Sequence, residues 1–182
     1  MDYLRASEAR TKASSIIHTT RHSVPPLRED LPILNNDCAN LILIVVAKTR
    51  KDLSYDDKYK VGACIVKDGQ ILSQGWNGMP SGMDNTTRFG PGYTRPEVIH
   101  AEANALMKLA KNGGSADEAS LFTTHSPCYT CAGLVVQAGI RRIVYDKVYD
   151  EDALIFLKER GLDVQRIDRN NRLHKREADP TG

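Results

Sequence analysis

From Cys38 to Lys51 the chain is apolar on most sides, with Asn36 or Asp37 ahead of it as a capping residue, so the pattern predicts a buried helix. Two apolar-rich runs follow, Val61 to Val66 and Gln70 to Gln74, joined by Asp68-Gly69. That pair accepts positive φ and predicts an antiparallel hairpin. Gly75 to Pro96 has little periodicity and is rich in Gly, Pro, Asn and Thr, which predicts a long loop, and a long loop inside a compact domain implies function. Ile99 to Asn112 reads as a helix closed by Gly113-Gly114, and Ser120 to Thr124 as a short strand. Ser126-Pro127-Cys128 predicts a helix start, with Ser126 as N-cap and Pro127 in the first helical position, running towards Gly139. Arg142 to Tyr145 predicts a strand, Asp150 to Arg160 a helix ended by Gly161, and Val164 to Ile167 a last strand. This alternation predicts an α/β fold in which helices cover a mixed sheet whose later strands are parallel.

At 182 residues and 41% hydrophobic content the chain suffices for one compact domain. Residues 1 to 35 carry scattered charge, a Pro25-Pro26 pair and Pro32, and are expected to form an N-terminal arm, free to pack on a neighbouring subunit. The domain is expected over 36–168, and 169–182 as a basic tail. A formal charge of +2 with 26% charged residues makes no global field for nucleic acid, and the basic stretch Arg166 to Arg176 reads as a solvated charge run. Leu41 to Ala47 is too short to span a bilayer and the N-terminus lacks the apolar core of a signal peptide, so a soluble cytoplasmic protein without membrane partners is expected. Cys38 and Cys64 lie in apolar segments and are expected to be small buried hydrophobes.

Cys128 and Cys131 are different. Three residues apart at a helix start, they share one face, and the partial positive charge there favours the thiolates that zinc requires. With His100 they make a His-Cys-Cys set that leaves a fourth tetrahedral position open, as catalytic zinc sites do. Zinc lowers the pKa of water towards neutrality, and Glu102 is the carboxylate available to move the proton. Residues two apart on a regular helix point to nearly opposite sides, so His100 and Glu102 serve one ion only at a helix tip. A helix beginning near Ile99 meets that condition, and one beginning at Pro96 does not.

His100-Ala101-Glu102 followed by Pro127-Cys128-Tyr129-Thr130-Cys131 resembles the H-x-E…P-C-x-x-C pattern of zinc deaminases. With Val61-Gly62-Ala63 and Gly75-Trp76-Asn77-Gly78-Met79-Pro80-Ser81-Gly82, the stretch from Asp37 to Ile167 is similar to the deoxycytidylate (dCMP) deaminases, with Trp76 where that family has tyrosine. The resemblance implies a three-layer cytidine-deaminase-like fold: a mixed five-stranded sheet with helices on both faces. It implies hydrolysis of dCMP to dUMP and ammonia, one catalytic Zn2+ per chain on His100, Cys128 and Cys131, and Glu102 as proton shuttle. Gly75, Trp76, Asn77, Gly78, Pro80, Gly82, Ala63 and Ser126 become candidates for substrate or effector nucleotide, and Arg88 and Arg95 for the phosphate. Activation by dCTP, inhibition by dTTP, Mg2+ beside an effector triphosphate and a homohexamer are further implications. His125 can line the pocket or end its strand with a backbone hydrogen bond, and Asn104 suits a structural or intersubunit hydrogen bond. Lys108 and Lys111 read as the wet face of their helix.

Two other readings stay open. A tRNA adenosine deaminase shares the zinc motif, and the Gly78 to Gly82 loop argues against it. A non-catalytic zinc module that binds nucleic acid needs a fourth protein ligand, and none is well placed.

Overall fold

The computed structural model describes residues 37–167 apart from positions 57 and 91, and side chains from 44 onward. The predicted arm, the basic tail and the Cys38 side chain therefore lie outside the described residues. Helix α1 runs Asp37–Lys51, strand β1 Gly62–Lys67, and strand β2 Gln70–Trp76. The β1 to β2 turn is made by Asp68 and Gly69 with φ of 51° and 76°, the left-handed pair that their sequence predicts. Then come β3 (Arg88–Phe89), β4 (Tyr93–Thr94), helix α2 (Ala101–Lys111), β5 (Ser120–His125), α3 (Tyr129–Gln137), β6 (Arg142–Lys147), α4 (Glu151–Glu159) and β7 (Asp163–Arg166).

Five strands form one mixed sheet in the order β2-β1-β5-β6-β7. β1 is antiparallel to both β2 and β5, whereas β5, β6 and β7 are parallel and are joined through α3 and α4. Alternate side chains separate two cores. Ala63, Ile65, Leu121 and Ile143 face the helices α2, α3 and α4 through Ala105, Leu109, Val135 and Leu157. Cys64, Val66, Phe122 and Val144 face α1 through Ile44 and Ala47. β1 is buried on both sides, which is why it reads as a continuous apolar run. Cys64 is the buried small hydrophobe its surroundings predict, and burial pushes its thiol up to about 12.

The predicted long loop holds one element not seen in the sequence, the two-residue hairpin β3–β4, with Arg88 opposite Thr94 and Phe89 opposite Tyr93. Two pairs are too few to leave an alternating pattern. Below the hairpin, Gly78 and Ile99 exchange backbone hydrogen bonds of 3.1 and 2.9 Å and close the loop at its base. Pro96 sits in a turn in which the Val98 N–H donates to the Arg95 carbonyl at 3.1 Å. The bridge keeps Ile99 extended, so α2 cannot begin at Pro96 and starts after His100.

Candidate active site and metal centre

His100 is the N-cap of α2, in extended backbone with φ −70° and ψ 155°, and its side chain makes no cap bond. The imidazole is thereby free to turn off the end of the helix, while Glu102 stays in the first turn. Cys128 is the N-cap of α3, and its sulfur accepts from the Cys131 N–H at 3.5 Å. This corrects the expected start: Ser126 is not the cap and Pro127 is not in the first turn. Sulfur takes the capping role, and both thiols lie at one helix tip. The Ser126 hydroxyl instead accepts from the N–H groups of Tyr149 and Asp150 at 2.8 and 3.2 Å, which ties the loop after β6 to the end of β5.

The two tips meet. His100 Nδ1 is 3.4 Å from Cys128 Sγ and 3.6 Å from Cys131 Sγ, and the three donor atoms lie within 4.8 Å of one another. Zinc–sulfur and zinc–nitrogen bonds of about 2.3 and 2.0 Å make a tetrahedral N···S edge of about 3.5 Å, so the nitrogen and two sulfurs fit a zinc ion in spacing as well as chemistry. Cys131 and His100 hold Cys128 down at about 4, against its burial. The Cys131 thiol is pushed up by donating to Cys128 and by burial. Cys128 is thus the sulfur held towards its thiolate, and a divalent cation bound by both sulfurs would favour release of the Cys131 proton as well.

Glu102 is 3% exposed. Burial pushes its carboxyl up, against the pull of its own backbone N–H and of His100, and Thr123 Oγ1 donates to its Oε1 at 3.2 Å. A carboxyl so placed binds a proton more firmly than one in water, as a proton shuttle requires. Three features dock its helix on β2. Ser73 Oγ donates to the Ala105 carbonyl, Asn104 Nδ2 donates to the Trp76 carbonyl, each at 2.8 Å, and Gly75 packs against the Ala101 and Ala105 backbone. Asn104 thus makes a structural bond within the chain. The close approach allowed by Gly75 is to helix α2, where a Cβ would collide with backbone, whereas Gly78 and Gly82 leave open space. Lys108 is more than a wet-face lysine, since its ammonium lies 3.5 Å from the centre of the Trp76 ring.

His100, Glu102 and Cys128 open into a cleft also lined by Asn77, His125 and Ser126. Asn77 accepts from the Val61 N–H at 2.8 Å and donates to the Tyr59 carbonyl at 2.6 Å, which holds the cleft wall ahead of β1. The lining also includes Asp56, Tyr59 and Tyr149, which sequence reasoning missed. Asp56 accepts from the N–H groups of Lys58 and Tyr59 at 2.8 and 2.7 Å, and Arg88 Nη2 pairs with it at 3.1 Å. Burial pushes its carboxyl up, but these donors outweigh that and leave it below its ordinary value. The one local signal was the Ser54-Tyr55-Asp56 turn, in which the Asp56 N–H donates to Ser54 Oγ at 3.1 Å. Tyr59 and Tyr149 meet edge to face with ring centres 6.1 Å apart, far apart in sequence and without a motif.

Ala63 is fully buried in the core beneath the cleft. Arg95 lies between Asp84 and Glu97 at 3.5 and 3.4 Å, so each phosphate candidate is engaged by carboxylate. Among the described residues no helix is long and apolar enough to cross a membrane.

Residues 37–147 match the family model described as the cytidine and deoxycytidylate deaminase zinc-binding region. The deoxycytidylate deaminase of Enterobacteria phage T2 is 32% identical over 135 residues, 52% of this chain and 72% of that protein. That of Mycobacterium phage D29 is 34% identical over 105 residues, 50% of this chain and 80% of that protein. The crystal structure of a dCMP deaminase from the cyanophage S-TIM5, in complex with dCMP and dUMP, is 40% identical with a TM-score of 0.67, covering 69% of this chain and 94% of that one.

Proposed function

The chain belongs to the cytidine and deoxycytidylate deaminase zinc-binding family, and from that premise we propose that it hydrolyses dCMP to dUMP and ammonia. The observation that carries this reading is the meeting of three zinc-type donors with the buried carboxyl of Glu102 in one cleft. Similarity to deoxycytidylate deaminases of phages, and to one solved with dCMP and dUMP, supports this nucleotide as substrate.

His100, Cys128 and Cys131 would hold the ion. When bound, zinc supplies Lewis-acid activation of water near neutral pH. Glu102 takes the proton that the attacking water loses at C4 and delivers it to N3 of the pyrimidine, then carries a second proton to the departing amine. Burial raises the proton affinity of its carboxyl, and Thr123 orients the carboxylate. The Asn77 side chain fixes the wall against which the nucleotide lies.

The deaminase domain in this reading spans 36–168. Gly78 and Gly82, with room above their backbone, support the Gly78 to Gly82 part of the loop as nucleotide-contacting. Regulation by dCTP or dTTP, with Mg2+ beside the triphosphate, and assembly into a hexamer belong to the same reading. Arg88 and Arg95 serve the phosphate only where an anion displaces their carboxylates.

The test is ammonia release from dCMP, CMP, deoxycytidine, dCTP and adenosine-bearing tRNA, with and without added dCTP or dTTP. Turnover of dCMP is expected. Activity confined to tRNA or to free nucleoside overturns the reading.

A further inference from the structure

A nucleoside monophosphate brings a dianion into the cleft, yet the described lining holds no lysine or arginine. Arg88 and Arg95 stand outside that lining, each engaged by carboxylate. The nearest alternative lies at the carboxyl ends of the parallel strands, the usual place for ligands in open α/β sheets. His125 ends β5 there and pairs in register with Lys147 at the end of β6.

The surroundings of His125 select its tautomer. Its Nδ1 is 3.2 Å from Thr124 Oγ1. That hydroxyl belongs to a residue 3% exposed and already accepts the Gly62 N–H at 3.2 Å. Donating to Nδ1 satisfies the buried hydroxyl hydrogen and leaves the ring proton on Nε2, an assignment made from the hydrogen-bond network. Burial holds the ring neutral, and Lys147 and Lys51 act in the same direction while Asp146 opposes them. Asp146 is itself paired with Lys48 at 3.1 Å, while Lys51 and Lys147 are the cations acting on the ring.

We infer that His125 is a specificity residue: through Nε2–H it donates to the 5′-phosphate of the bound nucleotide, beside Lys51 and Lys147, and so selects a nucleoside monophosphate over a nucleoside. This deepens the deaminase reading and rests on it. The arrangement is built from a strand end, a buried hydroxyl and two lysines on different elements, and no motif announces it.

The experiment compares wild type, His125→Leu and His125→Gln in zinc-loaded protein, with dCMP and deoxycytidine as substrates and with dUMP and deoxyuridine as binding probes. Loss of a donor to a charged group predicts a KM for dCMP raised about 10- to 100-fold in His125→Leu, with kcat moving much less. The loss should be at least about tenfold larger for dCMP than for deoxycytidine, and His125→Gln, which restores an N–H donor, should recover most of it. Equal losses on both substrates, or an unchanged preference for dUMP over deoxyuridine in His125→Leu, overturn the inference. If His125→Leu does not fold, His125→Ala and Lys147→Ala carry the same comparison, and an unchanged monophosphate preference in both overturns it. Wild-type protein that deaminates no pyrimidine sinks the deaminase reading instead, and the dUMP-to-deoxyuridine binding ratio still decides the role of His125.

Discussion

One wall of the cleft is made by two helix tips, His100 before α2 and Cys128 before α3, whereas the opposite wall is assembled from Asp56, Tyr59, Asn77 and Tyr149 on separate segments. The tips need little more than a helix start: the cap residue is extended, its side chain leaves the helix axis, and the donor three residues on follows by helical geometry. The opposite wall exists only because long-range bonds hold it, Asn77 to Val61 and Tyr59, Asp56 to Arg88, and Ser126 to Tyr149. The three candidate metal donors and Glu102 sit on the locally built wall. The cleft residues that no motif announces sit on the one built by the fold.

That division can be broken by substitution. The largest effect is expected for Glu102→Gln, which keeps volume and zinc content but removes the shuttle, lowering kcat by about 10²- to 10⁴-fold. Unchanged turnover would remove Glu102 from the mechanism. Gly75→Ala comes next. A methyl group there meets the Ala101 carbonyl and the Ala105 amide, which are backbone and cannot rotate away. It should cost roughly 1–3 kcal/mol in denaturant unfolding and lower kcat, because α2 carries His100 and Glu102 with it. A stable variant with normal kcat would show that the tip does not depend on its docking to β2.

Asp56→Asn acts on the other wall. It weakens the bonds to Lys58, Tyr59 and Arg88 and leaves a mostly buried guanidinium unpaired, at a cost of about 1–3 kcal/mol. Its kinetic signature should be a raised KM with kcat nearly kept, the reverse of Glu102→Gln. A fall in kcat alone would erase the distinction between the walls. The smallest effect is in pH. Burial lowers the folded-state value of His125 below 6.5, so the unfolded chain takes the proton first. The contribution to stability is complete above that value and is lost as pH falls through it. Wild type should therefore lose more Tm than His125→Gln between about pH 7.5 and 5.5, a range set by the ordinary histidine value. Parallel losses would place His125 in solvent.

The elements were largely legible because their punctuation is local. Asp68-Gly69 makes its turn, Gly113, Gly139 and Gly161 end their helices at φ of 74°, 79° and 80°, and Asp150 caps α4 by accepting from the Ala153 N–H at 2.9 Å. The start of α3 lies two residues later than expected because Ser126-Pro127 is a good start by propensity, while Ser126 is drawn to the loop after β6. The β3–β4 hairpin left no pattern, and Gly75 looked like a ligand-contacting glycine when its neighbour is a helix.

By itself the sequence singled out His100, Glu102, Cys128 and Cys131, since residue identity and helix-start geometry act over a few residues. Only the tertiary structure decided that α2 begins after His100, because the Gly78 to Ile99 bridge that stops it from starting at Pro96 joins positions far apart in the chain. The same holds for the neighbours of His125, where Gly62, Thr124 and Lys147 come together through strand register. Register is a property of paired strands, and no single strand carries it.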